Sequence, residues 1–190
     1  TSIYHIFERL NTGGTLLTNQ EVRNCVYHGS FNELLANLNS RPEWRAILGR
    51  PTLDSRYKDA ELILRFFSLL TLDGYEKPMK DHLSRYMRRN ASTTGAAADE
   101  MRKLFATTCA RVVGSLGTKP FHVRAGLNAA VYDSVMVAFA KSTGAVPADI
   151  QARYKSLLAN EKFASATRQA TTDSESVKLR FQLANQVLFG

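Results

Sequence analysis

Cysteine is scarce in this sequence: two residues, Cys25 and Cys109, in 190. They cannot build a disulfide framework, and they fit a reducing, cytoplasmic compartment. Covalent staples are not needed either, since a chain of this length can bury roughly 70% of its unfolded surface. Long apolar runs are missing as well. The longest nearly uncharged stretch, Leu127 to Ala140, falls short of the ~20 residues of a membrane-spanning helix. No cationic segment with an apolar run and a cleavage site opens the chain as a secretory signal would, so no membrane partner is expected. β-formers are few, with Val and Ile supplying 16 residues together against 22 each of Leu and Ala. Apolar–polar alternation never persists beyond a few positions, which argues against sheet. No fixed-period self-similarity marks a helical solenoid. Acidic side chains are the minority, 17 against 25 basic, for a net charge of +8, and 44% hydrophobic residues exclude a disordered chain.

What is present is helical periodicity. Ile3, Ile6, Phe7 and Leu10 form a stripe that stops at Asn11-Thr12-Gly13-Gly14. Thr18 with Glu21, and Ser30 with Glu33, have the spacing of capping boxes for two helices that follow. Pro42 suits a first helical position and Gly49 a helix end, around Trp44, Ile47 and Leu48. Residues 57–72 and 127–141 are apolar on most sides, the pattern of central helices. Pro78 is expected to open another helix, residues 91–98 to form a small, polar loop, and further helices to cover 97–114, the region after Pro147, and 173–189. The expected architecture is all-α: an irregular multi-helix bundle around the two central helices, forming one domain over residues 1–190.

The charge is uneven. Arg41, Arg45, Arg50, Arg56 and Lys58 form one basic run, and Lys77, Lys80, Arg85, Arg88 and Arg89 a second, with Trp44, Tyr57 and Tyr86 among them. Guanidinium forks suit phosphate, and aromatics interleaved with arginine are typical of nucleic-acid surfaces. A solvated helix face has the same composition, and both readings stand at this point. Arg124, in the basic loop Lys119 to Arg124 that also carries His122, is a further candidate.

Catalytic chemistry is harder to find. Cys25 and His28 have half-site spacing for a metal, but no second half accompanies them, so no metal ligands and no catalytic residues are expected. The phosphate-loop, zincin and nucleophile-elbow patterns are all missing. Asp133 is the single charge in the Leu127–Ala140 run. It must be paired, protonated or at a cavity mouth, and an ion pair with Arg65 or Arg124 is the leading expectation.

The most specific stretch is Phe7-Glu8-Arg9-Leu10-Asn11-Thr12-Gly13-Gly14-Thr15-Leu16-Leu17. Paired glycines permit positive φ and bring backbone N–H groups close to an anion, although a plain helix C-cap followed by a tight turn has the same residues. Phe7, Asn11, Gly14 and Leu17 resemble the Phe-x-x-x-Asn-x-x-Gly-x-x-Leu motif of the family typified by the N-terminal domain of GmrSD-type, modification-dependent restriction endonucleases. Glu21-Val22-Arg23-Asn24, Phe31, Arg41 to Arg45, Lys58 to Phe67 and Asn128 to Asp133 are similar to members of that family in a looser way.

The resemblance implies a prokaryotic defence protein with a ParB/sulfiredoxin-like core, whose Asp-Gly-Gln-Gln-Arg motif this chain does not contain. The chain, which starts at Thr1, would then be the helical portion that follows such a core. Residues 1–30 carry the turn, with Phe7, Arg9, Asn11, Thr12, Gly13, Gly14 and Leu17 completing a nucleotide or phosphate site. The implied partners are DNA, foreign or modified, and the upstream core. The longer protein would use NTP and Mg2+, while this chain alone would hold no cofactor. A dimerisation or protein-interaction module, and a nuclease or NTPase, are the alternative functions.

Overall fold

The two apolar runs become central helices because neither leaves a broad polar face for water. In a computed structural model, which describes residues 16–123 and 125–190, they are α4 (Lys58–Leu69) and α7 (Ala129–Lys141). Every residue of α7 from Ala130 to Phe139 is buried. The other described helices are α1 (Asn19–Val26), α2 (Ser30–Asn39), α3 (Pro42–Leu48), α5 (Met79–Asn90), α6 (Gly95–Leu116), α8 (Ile150–Ala159), α9 (Glu161–Ala166) and α10 (Ser174–Phe189). No strand or sheet occurs among the described residues, only a single bridge between His122 and Leu127. The all-α expectation holds.

Helix α7 packs against α4, α6 and α10, and α4 against α1, α2 and α5. One continuous core runs from Phe31 to Leu188. Its aromatic centre joins four helices. Trp44 on α3 stands 5.5 Å from Phe105 on α6 and 5.6 Å from Tyr132 on α7, and Phe105 is 5.3 Å from Phe66 on α4. Edge-on and tilted contacts at such distances favour the ring quadrupoles. The Trp44 indole N–H donates to Asn39 Oδ1 at 2.9 Å, so its one polar group is satisfied inside the core.

The local signals were partly right. Thr18 and Glu21 form a complete capping box on α1. Gly49 ends α3 at φ 62°, a left-handed cap in which a side chain would be strained, and Lys119 packs where its Cβ would lie. Ser30 is not a cap. The N-cap of α2 is Gly29, and the Ser30 hydroxyl donates instead to Ala91 O, whose close approach would put it 2.5 Å from a Cβ at Gly29. The expected 91–98 loop is also shorter, because α6 already begins at Gly95. Ala96, Ala97 and Ala98 are strong helix formers and extend it to 22 residues.

Helix α7 starts at Ala129 rather than Leu127 because Asn128 caps it, accepting from Ala130 N and Val131 N. The Asn128 amide also donates to Thr167 O, and Asn128 N to Phe121 O. Phe121 is buried, and Tyr154 donates its hydroxyl to Pro120 O at 2.7 Å. The loop between α6 and α7 is therefore anchored at both ends and lies beside α3 and α4, forming one wall of a cleft.

Candidate functional site

Arginine is the residue type on which any polyanion reading depends, and much of it is used internally. Asp133 is fully buried on α7. Arg65 of α4 reaches it with two parallel bonds, Nε to Oδ1 at 3.0 Å and Nη2 to Oδ2 at 2.5 Å. Arg180 of α10 donates Nη2 to the same Oδ2 at 3.1 Å and Nη1 to Thr171 O at 2.6 Å. Asp133 is thus the structural ion-pair residue expected from sequence, with Arg180 as an unexpected second partner. Burial opposes charging of Arg65, but the Asp133 carboxylate outweighs it and holds that guanidinium above its ordinary range. For Arg180, burial together with the neighbouring Arg65 charge outweighs Asp133 and moves it below its ordinary range.

Three further arginines are consumed in the same way. Arg23, fully buried, bonds Glu61 at 2.9 Å as well as Gln20, Ser84 and Lys80 O. Arg111 donates to Phe139 O, Ser142 O and Gly144 O, and so caps the carbonyl end of α7. Arg153 does the same for α10 through Leu188 O and Gly190 O. Cations at helix C-termini satisfy carbonyls that have no intrahelical donor.

The candidate phosphate contacts separate accordingly. Arg45 is buried and paired with Asp59 at 2.9 Å, so it belongs to no outer surface, contrary to expectation. Arg56 lies against Glu21 at 3.2 Å and donates to Leu16 O. Arg41 sits 3.9 Å from Glu43, and Arg85 3.5 Å from Glu76. Arg50 is exposed with a loose contact to Asp54 at 3.6 Å. Lys58, Arg88 and Arg89 are exposed, with no ion-pair partner among the described residues. Phe7, Arg9, Asn11, Thr12, Gly13, Gly14 and Arg124 lie outside the described residues; of the motif only Leu17 is described, and it is exposed.

Helix α1 brings the two basic runs to one element. The Thr18 hydroxyl donates to Arg56 O and Glu21 pairs with Arg56, while Gln20 reaches Met87 Sδ at 3.9 Å, beside Arg88. Leu17, the last position of the Phe7–Leu17 stretch, immediately precedes the Thr18 cap of this helix.

Two clefts flank the α6–α7 loop. One, of about 450 Å³, is walled by Arg45, Arg50, Lys58, Leu62, His122 and Leu127 among others. The second, of about 490 Å³, lies towards α9 and includes Asn128, Phe163, Thr167, Arg168 and Thr171. Arg65 contributes to both walls. Among the described residues no three of His, Cys, Asp and Glu converge as metal ligands in either. Cys25 is exposed and Cys109 buried.

No family model, curated protein or solved structure matches the chain. Function therefore rests on this geometry and on the motif. Among the described residues no helix is long and apolar enough to cross a membrane.

Sequence reasoning overlooked Arg45 and Arg180 as buried donors. The signal was there for Arg180. It shares the helical face of Val177, Ala184 and Leu188, and a charge on an apolar stripe calls for a partner in the core.

Proposed function

We propose that this chain is the helical, DNA-contacting and regulatory portion of a prokaryotic restriction-type defence protein. Contact is with the phosphate backbone and independent of sequence. The supporting observation is the set of exposed cations Arg50, Lys58, Arg88 and Arg89, of which the last three have no carboxylate partner among the described residues. Arg88 and Arg89 also stand in the last turn of α5, where a cation is favoured by the helix dipole. The defence assignment rests on the resemblance of Phe7 to Leu17, whose turn would supply phosphate-binding N–H groups to a ParB-like core using NTP and Mg2+.

Titration of a blunt duplex with 5′-hydroxyl ends, across a salt series, tests the reading. Four neutralised phosphates give a log–log slope of about −4 at ~0.9 per phosphate. Arg88→Glu with Arg89→Glu lowers both affinity and slope. A flat slope, or unchanged affinity in that double variant, removes the DNA claim.

One observation favours an interaction module instead. Leu16, Leu17, Leu53 and Tyr57 are exposed, at 60%, 40%, 58% and 46%, and the Leu16–Arg56 bond joins their two segments. In that reading the corner docks a second copy or the upstream core. A strictly monomeric chain by light scattering at high concentration argues against the homodimer.

A further inference from the structure

Among the described residues a single Phe, Tyr or Trp side chain is exposed: Tyr57, which caps the start of α4. The other tyrosines show what the fold does with such a group. Tyr75, Tyr132 and Tyr154 spend their hydroxyls on Thr172 O, Leu62 O and Pro120 O, and Tyr86 sets its ring edge-on to Phe31 at 5.9 Å. Tyr57 has neither a hydrogen bond from its hydroxyl nor an aromatic neighbour for its ring among the described residues. Both are left facing solvent.

The backbone beneath that ring is fixed in the left-handed region, at φ 56° and ψ 24°. A side chain with a Cβ enters this region at a cost, and a bulky one is uncommon there. Local bonds enforce it. Tyr57 N donates to Asp54 O at 3.0 Å, Tyr57 O accepts from Glu61 N at 3.0 Å, and Arg56 N donates to Asp54 Oδ1 at 2.8 Å. The Thr18 hydroxyl donates to Arg56 O at 3.2 Å and ties the turn to α1. The ring thus stands on a backbone that needs no further ordering when a ligand meets it.

Cations flank the ring. Lys58 follows it directly and is exposed, with no ion-pair partner among the described residues. Arg50 is 72% exposed and has only a loose contact, at 3.6 Å, with Asp54, the residue that also closes the Tyr57 turn. Exposed Leu53 lies in the same segment. Unpaired cations are depleted at the centre of a protein–protein interface, whereas a ring among cations is the combination that holds unpaired nucleic acid, with bases on the ring and phosphates on the charges. A base inside a duplex has both faces covered by its neighbours and cannot use such a ring. We infer that Tyr57 stacks an unpaired base of single-stranded DNA, while Arg50 and Lys58 neutralise the adjoining phosphates. This assignment rests on the DNA reading of the same two cations and names the form of DNA that they meet. Helix α1, bonded to this turn and to Met87 beside Arg88, connects the corner to the cations of α5.

The test is a fluorescence-anisotropy titration of the full chain with three probes. These are the blunt duplex of the salt series, the same duplex with a single-stranded tail, and the duplex with an abasic tail that keeps the phosphates but lacks the bases. The base-carrying tail should bind about tenfold tighter than the abasic one, within the range of one base stacked on an aromatic ring. Tyr57→Asn should abolish that difference and leave the affinity and salt slope of the blunt duplex unchanged. Asparagine adopts the left-handed region more readily than tyrosine, so the urea midpoint of this variant should equal or exceed that of the parent. Tyr57→Phe keeps the ring and should keep the difference.

Equal affinity for the base-carrying and abasic tails overturns the inference, and that comparison uses the parent chain alone. A preference that survives Tyr57→Asn, or is lost equally in Tyr57→Phe, overturns it as well. Self-association in light scattering that Tyr57→Asn abolishes, with no preference between tails, assigns the corner to a second copy instead. The two failures are distinguishable. A blunt duplex that binds with the expected salt slope, while the tail makes no difference, removes the stacked base and leaves the duplex contact standing. Absence of binding by all three probes removes the DNA reading and this inference with it.

Discussion

Replacing Asp133 with asparagine keeps the side-chain volume and removes the one carboxylate that serves Arg65 and Arg180. Both guanidiniums stay where they are, Arg180 at 0% exposure, and their charges become uncompensated in the core. Breaking a buried pair in this way costs about 3–5 kcal/mol, a large share of the ~5–15 kcal/mol available to a native domain. Urea denaturation followed by fluorescence of Trp44 reads the loss. That is the sole tryptophan, wholly buried between Phe105 and Tyr132, so its emission follows the core that α7 completes. With a urea slope of about 2 kcal/mol/M, the midpoint falls by about 1.5–2.5 M at unchanged slope. The paired experiment replaces all three charges with apolar residues of similar volume, Arg65→Met, Asp133→Leu and Arg180→Met. Because charge desolvation is then avoided, stability returns to within about 1 kcal/mol of the parent or exceeds it. A loss below about 1 kcal/mol in Asp133→Asn, or a triple variant no better than the single one, would refute the reasoning.

Two further outcomes follow from burial. In the native chain a thiol reagent should modify Cys25 rapidly and leave Cys109 unreacted until unfolding. Cys109 is fully enclosed and burial pushes its thiol well above the ordinary range, so two fast equivalents in the native protein would contradict the packing of α6. His82 donates Nε2–H to Ser68 O at 3.0 Å and stacks edge-on against Tyr75 at 4.9 Å. Burial, assisted by the charges of Arg85, Arg89 and Arg65, lowers its pKa below the ordinary 6.5 despite the Ser68 bond. The folded state therefore binds the His82 proton less readily than the unfolded one. Its contribution to stability is complete above pH 6.5 and is lost as pH falls below that value towards the folded pKa. His82→Gln should flatten the drop in urea midpoint between pH 7 and pH 5 relative to the parent, and an equal drop in both would remove His82 as its source.

Most of the helices were legible because their determinants are local. The stripes of α4 and α7, the Thr18–Glu21 box, Pro42 and Gly49 all act within a turn or two of chain, and the fold uses them as read. The misreadings come from distant groups. Ser30 has the spacing of a cap, but Ala91 O arrives from another helix and takes its hydroxyl. The roles of Arg111 and Arg153 depend on which helix end comes within reach, and residue spacing carries no trace of that. Arg45 was legible as a charge but not as a buried one. Its neighbours Trp44, Ile47 and Leu48 form the apolar face of a seven-residue helix, and only the fold shows that Asp59 lies opposite.

This distinction changes what a charge of +8 means. Read from composition, the runs Arg41–Lys58 and Arg85–Arg89 offer eight phosphate contacts, and a salt slope of about −7 at ~0.9 per phosphate. Arg45 is buried, and Arg41, Arg56 and Arg85 lie within ion-pair distance of Glu43, Glu21 and Glu76. A phosphate drawing on any of these must compete with a carboxylate already in place, so their release of counterions is small. Arg50, Lys58, Arg88 and Arg89 remain, which is why a slope near −4 is the expected value. Arg65 is withdrawn more completely, since its two-donor edge is closed by Asp133 although it lines both clefts.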